Sequence, residues 1–303
     1  MNVTSVVLPT RNREKLLLGL IEKLISFESQ ISQVIIIDSS DIPIVIDESL
    51  KFPFELIYRH TLICSAAYQR NLGLTLVSTD SDYIAFLDDD VIPGENYFAN
   101  LIQTLETYSG IGISGIAVDH SIRETQGFDS KFPFQFKKMF GLTGRDWGGV
   151  LPSGVAIPVS EASSEIVFSN WLIGCSIWKF SAIKDLRFEN FVGQSLSEDV
   201  IFSMRANGLG RLIVDPRVIF DHSQEVSGRP NLFNFWRMWV TNRRRLIQLF
   251  QGSGMSYRAF YLANFGQLLI LIFKMLGGDL GSGKGALGII AGMFSKTRYA
   301  HED

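Results

Sequence analysis

Apolar residues in the first half of the chain fall into two alternating kinds of segment. The largely apolar run 3–8 and the unbroken runs 34–37 and 83–87 read as strands buried on both faces, and 54–58 reads as another. Between them, residues 14–27 place Leu17, Leu20, Ile21, Leu24 and Ile25 at helical spacing, and a second helix is predicted over 66–77. This alternation predicts an α/β fold with a mostly parallel sheet of βαβ units. Ligands of such sheets bind beyond the carboxyl ends of the strands. Asp38 and the triplet Asp88-Asp89-Asp90 both stand at such ends, which places them on one crevice.

From about residue 120 to 164 the pattern breaks into Gly, Pro, Ser and aromatic residues, as expected of a lid or substrate loop. An apolar run returns at 170–178, a helix is expected over 196–207 and a strand over 212–214. Beyond Arg229 everything reads as helix or loop. The longest uninterrupted apolar stretch, 268–273, is closed by Lys274 and falls far short of the ~20 residues that span a bilayer. A membrane-spanning chain is therefore not expected. The chain opens on a strand-like run with no signal-peptide pattern, and Cys64 and Cys175 show no metal or redox spacing. Free thiols and a cytoplasmic location are the expectation.

Composition changes the picture in one respect. A hydrophobic content of 46% excludes disorder, and charged residues make up 19% while phenylalanine alone counts 23, a balance that leans towards a membrane-associated surface. The net charge of −3 hides an asymmetry: residues 1–228 carry −10 and residues 229–303 carry +7. A basic, aromatic tail suits an anionic membrane surface or an anionic lipid-linked substrate. No helix-turn-helix, zinc or RNP pattern supports nucleic acid as the partner.

The sharpest chemical signal is the Asp triplet. Adjacent carboxylates repel one another unless a cation or hydrogen bonds compensate. In an extended backbone Asp88 and Asp90 point the same way, forming a pair able to hold Mg²⁺ or Mn²⁺ with phosphate oxygens as co-ligands. A solvated acidic turn is the alternative.

Taken in order, the motifs resemble a family-two glycosyltransferase with a GT-A fold. They are the opening Val-Val-Leu-Pro-Thr-Arg-Asn-Arg, the Ile-Ile-Asp-Ser-Ser strand end, Ala-Ala-Tyr-Gln-Arg-Asn-Leu-Gly, Leu-Asp-Asp-Asp, Ser-Glu-Asp-Val and a later His. The resemblance runs from Val3 to about His222. It implies a GT-A nucleotide-sugar-binding and catalytic domain over 1–228, with a helical, basic C-terminal region over 229–303 associated with membrane or acceptor. It also implies that Pro9, Thr10 and Arg11 line the base and ribose, and that Asp38 accepts a hydrogen bond from the base. Arg70 would stand near the nucleotide and Asp88 would touch ribose, with Asp89 among the donor-binding residues and Asp90 on the metal. Asp199, with Glu198 beside it, matches the general base, and His222 matches a metal-binding histidine better suited to Mn²⁺ than Mg²⁺. Trp171, in the segment lining donor sugar and acceptor, would stack on a sugar face.

Each of these residues has a second reading. Asp38 would cap a turn, Arg70 would lie on a helix surface, Glu198-Asp199 would cap a helix N-terminus, and His222 and Trp171 would be structural.

On a helix over 231–250, Leu232, Trp236, Trp239, Leu246, Ile247 and Phe250 share one face, with Arg243 in the middle of it. An arginine there meets either an anion, such as a donor or acceptor pyrophosphate, or a structural carboxylate. Gly278 to Lys284 matches the start of a phosphate-binding loop, but Gly285 stands where that motif needs Ser or Thr; a flexible connector between helices is expected instead. The processive-synthase signature Gln/Arg-x-x-Arg-Trp is absent from the sequence.

The reading is a metal-dependent, inverting transferase adding one sugar from a nucleotide-diphosphate sugar to a lipid-linked saccharide. It would act at the inner face of the cell membrane in bacterial surface-polysaccharide assembly. A sugar nucleotidyltransferase and a catalytically silent scaffold of the same fold are the alternatives. The first usually carries a glycine-rich N-terminal loop, absent from Leu8-Pro-Thr-Arg-Asn, and the second has no use for three costly carboxylates.

Overall fold

A computed structural model describes residues 3–46, 51–118, 132–145, 148–160, 163–193, 196–222 and 230–300. The expected domain boundary at 228/229 and most of the first part of the 120–164 insertion lie outside the described residues. The chain builds a mixed sheet of nine strands flanked by helices, followed by a helical C-terminal part.

The strands are β1 (Thr4–Thr10), β2 (Ile31–Asp38), β3 (Glu55–His60), β4 (Tyr83–Phe86), β5 (Val91–Pro93), β6 (Gly110–Val118), β7 (Val167–Ser169), β8 (Ser176–Lys179) and β9 (Arg211–His222). They run in the order β3-β2-β1-β4-β8-β6-β9-β5, with β7 on β9. The first four are parallel, as their apolar runs and intervening helices predict. Antiparallel pairing enters at β8, which joins β4 to β6, and again where β5 and β7 pair with β9.

Helices α1 (Glu14–Ile25) and α2 (Ala66–Thr75) supply the first crossovers. In α1 the predicted stripe buries Leu17, Leu20, Ile21 and Leu24, whereas Ile25 is exposed at the helix end. Helix α2 is capped by Ser65, whose Oγ accepts from the Tyr68 N–H at 3.1 Å. Gly73 lets α2 close on the sheet, since a Cβ there would stand 2.4 Å from a Val7 methyl. Helix α3 (Tyr97–Thr107), two short helices α4 (Phe134–Met139) and α5 (Phe180–Ile183), and α6 (Glu198–Asn207) complete the body.

One strand boundary differs from expectation. Strand β9 does not stop before Asp215-Pro216 but continues to His222. Its register with β6 slips between Ser114 and Ile116, and this irregularity accommodates a proline that has no N–H for the ladder.

The C-terminal part consists of α7 (Leu232–Leu249), α8 (Tyr257–Leu276) and α9 (Leu280–Phe294). Its core of Val240, Leu246, Ile247, Phe260, Leu271 and Ile289 is continuous with Phe191, Val200 and Ile201 of the body. One expectation is corrected here. The glycine-rich stretch after Gly278 is no flexible connector: Asp279 caps α9, and the glycines are a packing face inside that helix. A Cβ on Gly285 would meet the Trp236 ring at 2.7 Å, and one on Gly288 would meet the Phe233 carbonyl at 2.3 Å. Helix α8, at 20 residues, is long and apolar enough to cross a membrane by length and composition, with one third of its most apolar window buried. The helix is longer than its longest unbroken apolar run, because Asn264, Gln267 and Lys274 interrupt the run without ending the helix.

Gly288→Ala should therefore destabilise the protein by about 1–3 kcal/mol through overpacking of α9 on α7, read as a lower chemical-denaturation midpoint. An unchanged midpoint would mean that the two helices separate freely.

Candidate functional site

The parallel strands end together. Thr10 pairs in register with Asp38, and Val7 with Phe86, so the loops after β1, β2 and β4 meet on one edge of the sheet. The antiparallel pairing of Val91 with His222 brings the end of β9 to the same place. A cleft opens here, lined by Pro9, Thr10, Arg11, Arg70, the three aspartates, Glu198 and His222.

Each aspartate of the triplet is directed differently. The strand does not continue through them: β4 stops at Phe86 and a turn follows. Asp88 accepts from Arg70 Nη2 at 2.6 Å. Asp89 turns inward, accepting from the Thr10 hydroxyl at 2.7 Å and from Arg13 Nη1 at 2.8 Å. Burial raises its pKa, against the opposing influence of Thr10 and Arg13. Asp90 takes a second contact from Arg13 at 3.2 Å and faces His222 Nε2 across 3.2 Å. Asp88, Asp90 and His222 thus offer ligand atoms that all lie within 4.8 Å of one another. Two carboxylates and an imidazole on an open cleft fit a divalent ion of the Mn²⁺ type.

Arg70 is the electrostatic hub. It is almost wholly buried and donates to Asp88 and, through Nη1 at 2.9 Å, to Glu198. Burial alone would lower its pKa, but these two carboxylates outweigh that and raise it. Gly174 makes room for it, since a Cβ there would lie 3.0 Å from Nη2. One guanidinium faces Asp88, Glu198 and Asp199, which is one positive charge for three carboxylates. Burial raises the pKa of Glu198 to about 8, with the neighbouring Asp199 charge adding to it. Asp199 is raised as well, again chiefly by burial. The pair titrates as a unit above the ordinary carboxylate range, so it holds a proton near neutrality. Glu198 Oε2, buried and without a partner, is a place for that proton.

The structure does not bring every expected residue into the cleft. Asp38 is fully buried, its oxygens accepting from the Ser40 and Ile44 N–H groups and the Tyr58 hydroxyl at 2.7–3.0 Å. It closes the turn after β2, and Ser39 is the residue that reaches the cleft. Asp199 stands at the start of α6 with Oδ1 accepting from the Val200 N–H, while Glu198 is the one of the pair that lines the cleft. Trp171 belongs to a separate cavity between β6 and the 148–160 loop, its ring N–H donating to the Ile157 carbonyl. Arg243 is buried in the C-terminal helices, against Trp239 and Asn264, and does not line the cleft.

Two contributors escaped the sequence reading. Arg13 ties Asp89 and Asp90 to the first loop. Gln69 donates to the Thr10 and Ile37 carbonyls at 2.8 and 2.6 Å, joining the ends of β1 and β2 under the cleft. Both lie inside motifs already singled out, one residue from a named position or two, and their chemistry gave no signal until the strand ends were assembled. Both cysteines are free, with Cys64 on the cleft wall.

The proton held by the Glu198–Asp199 pair makes stability pH-dependent. A folded-state pKa above the unfolded one means that the folded state binds more protons, so stability falls as pH rises from ~4.3 towards about 8. Glu198→Gln should flatten this slope, its unfolding midpoint gaining on the wild type as pH rises from about 5 to about 8. Parallel pH profiles would show that Glu198 is ionised throughout.

Residues 5–155 match the family described as glycosyl transferase family 2. No curated protein matches the sequence. Among solved structures, that of S. aureus TarS 1-349 in complex with UDP-GlcNAc is 11% identical, with a TM-score of 0.52 over 97% of this chain and 91% of that one. The structure of GalNAc-T7 with UDP, GalNAc and Mn²⁺ is 13% identical, with a TM-score of 0.52 over 80% of this chain and 48% of that one. At such identities the likeness is one of fold. Residues 5–155 are thus similar to a glycosyl transferase family 2 domain, set within a fold of the GT-A kind.

Proposed function

We propose that this protein is a metal-dependent, inverting glycosyltransferase. It moves one sugar from a nucleotide-diphosphate sugar to a saccharide acceptor, itself carried on a lipid in surface-polysaccharide synthesis. The observation that carries the reading is the Asp88–Asp90–His222 cluster set beside Arg70, Thr10 and Arg11 on the carboxyl edge of the sheet. Its support from the comparisons is the family 2 match and two proteins of like fold whose structures contain UDP-GlcNAc or UDP, GalNAc and Mn²⁺.

In this reading the base and ribose rest along Pro9, Thr10 and Arg11, and Asp38 acts by shaping the turn that carries Ser39. A divalent ion held by Asp88, Asp90 and His222 would neutralise charge on the diphosphate leaving group. Asp199 takes the proton of the acceptor hydroxyl as its oxygen attacks the anomeric carbon. The bond from that carbon to the diphosphate breaks from the opposite side, so configuration inverts. Arg70 holds Glu198 in place and keeps the second carboxylate available as a base. The active form needs Asp199 deprotonated, which puts the acid limb of the rate profile above the ordinary aspartate pKa of ~3.9.

The membrane is the proposed location. Tyr261, Leu262, Phe265, Phe273 and Leu276 of α8 and Leu280, Leu287 and Phe294 of α9 are exposed, and Arg258, Lys274 and Lys284 accompany them on the same helices. Between residues 230 and 300 the one acidic residue is Asp279. Apolar surface with a basic fringe suits the anionic inner face of the cell membrane.

Two experiments test the site. Nucleoside diphosphates should raise the thermal midpoint in a Mn²⁺-dependent way, and Asp90→Ala should abolish that dependence while the protein still folds. Metal-dependent binding that survives in the variant removes the cluster from the donor site. Asp199→Asn should bind donor normally and lose about 10² to 10⁴ in turnover. Asparagine caps a helix nearly as well as aspartate, so retained turnover would leave Asp199 a capping residue and point to Glu198 as the base. For the membrane, sedimentation with anionic vesicles that reverses in high salt is expected, weakened by Leu287→Ser with Phe294→Ser. Absence of binding to anionic and neutral vesicles alike would make this face a protein interface.

A further inference from the structure

Helix α7 turns one arginine into the interior of the C-terminal helices. Arg243 is 1% exposed, its guanidinium carbon 3.3 Å from the centroid of the Trp239 ring and 5.2 Å from that of Phe260. Its Nη2 donates to Asn264 Oδ1 on α8. Among the described residues its Nε and Nη1 have no acceptor, and neither does Nδ2 of Asn264, a residue with no exposed surface at all.

No carboxylate pairs with Arg243 among the described residues, and burial lowers its pKa. A buried carboxylate escapes such a position by taking up a proton, as the Glu198–Asp199 pair does. A guanidinium does not give its proton up, and a buried charge without a partner is strongly destabilising. The aromatic rings offset only part of that. Three donor nitrogens, one fixed positive charge and no acceptor among the described residues to bond them describe the lining of an anion site.

The surroundings narrow the anion. Asn264 faces α7, while Tyr261, Leu262 and Phe265, within three residues of it on α8, are exposed on the apolar surface. An anion arriving at a seam behind such a surface is of the kind found at a bilayer boundary. We propose that the α7–α8 seam, through Arg243 and Asn264, is a binding site for a phosphate oxyanion, separate from the nucleotide cleft. The anion replaces the missing counter-charge, and the Trp239 ring and the two helices part to admit it. The site stands independently of the transfer reaction proposed above.

The test measures the unfolding midpoint of the full chain in EDTA, which silences the metal cluster. Inorganic phosphate is titrated against chloride at matched ionic strength. Phosphatidylcholine vesicles containing phosphatidic acid are compared with phosphatidylcholine alone. The midpoint should rise with the logarithm of the phosphate or phosphatidate concentration. Arg243→Met and Asn264→Leu should each weaken the apparent affinity at least tenfold while leaving Mn²⁺-dependent nucleotide binding at the cleft intact. Arg243→Lys, which keeps the charge with fewer donors, should retain part of the effect and serves if Arg243→Met does not fold. A rise with inorganic phosphate identifies a free anion, and a rise confined to phosphatidate vesicles identifies a lipid headgroup. Both support the site. A response to phosphate and phosphatidate no greater than to chloride, or one equally present in the variants, overturns it.

Discussion

The cleft depends on one guanidinium placed among carboxylates. Arg70 is buried, donates to Asp88 and Glu198, and lies near Asp199, so it ties the end of the fourth strand to the start of α6 across the site. Its position is overdetermined. Ser65 caps α2, Gln69 fixes that helix to two strand ends, and Gly174 leaves room for the guanidinium. Removing such a cation would leave buried carboxylates without a partner, which costs far more than the loss of a surface pair. Burial is what chiefly raises the Glu198–Asp199 pair and the Arg70 charge offsets only part of it, so the hub that holds the site together also tempers its proton affinity.

The two halves of the sheet contribute differently. Parallel strands deliver loops to one edge, and this suffices to gather Thr10, Arg13 and the aspartates. The histidine arrives by another route, because β5 turns back from the triplet and pairs antiparallel with β9. Asp90 and His222 are therefore neighbours across a ladder although far apart in sequence. A ladder fixes the spacing of two side chains more firmly than two loops would.

Arg70 and Arg243 make a useful contrast. Both are buried and both touch aromatic rings, yet the first has two carboxylate partners and the second has none among the described residues. The same side chain in the same depth of burial is stabilised in one place and left lacking a counter-charge in the other. The helices around Arg243 hold together through glycine-mediated contact of α9 on α7 and through an apolar core shared with the body.

Periodicity and motif order in the sequence established the α/β class, the first parallel strands, the two crossover helices and the identity of the acidic cluster. They did so because burial on both faces and helical amphipathicity are local properties of a segment. Sequence also placed Arg243 at the centre of an apolar helix face, where it is found. Everything that required distant segments to meet was decided by tertiary structure. Asp38, expected at the base, turned out to spend both oxygens on its own loop, and Glu198 lines the cleft while Asp199 accepts from the Val200 N–H at the start of α6. Trp171 and Arg243 lie elsewhere, while Arg13 and Gln69 enter the site unannounced. The glycines after Gly278 look flexible as a string of letters and become a helix face only when Trp236 and Phe233 are there to pack on them. A side chain's direction and partners depend on which strands and helices stand opposite it, and no local pattern carries that information.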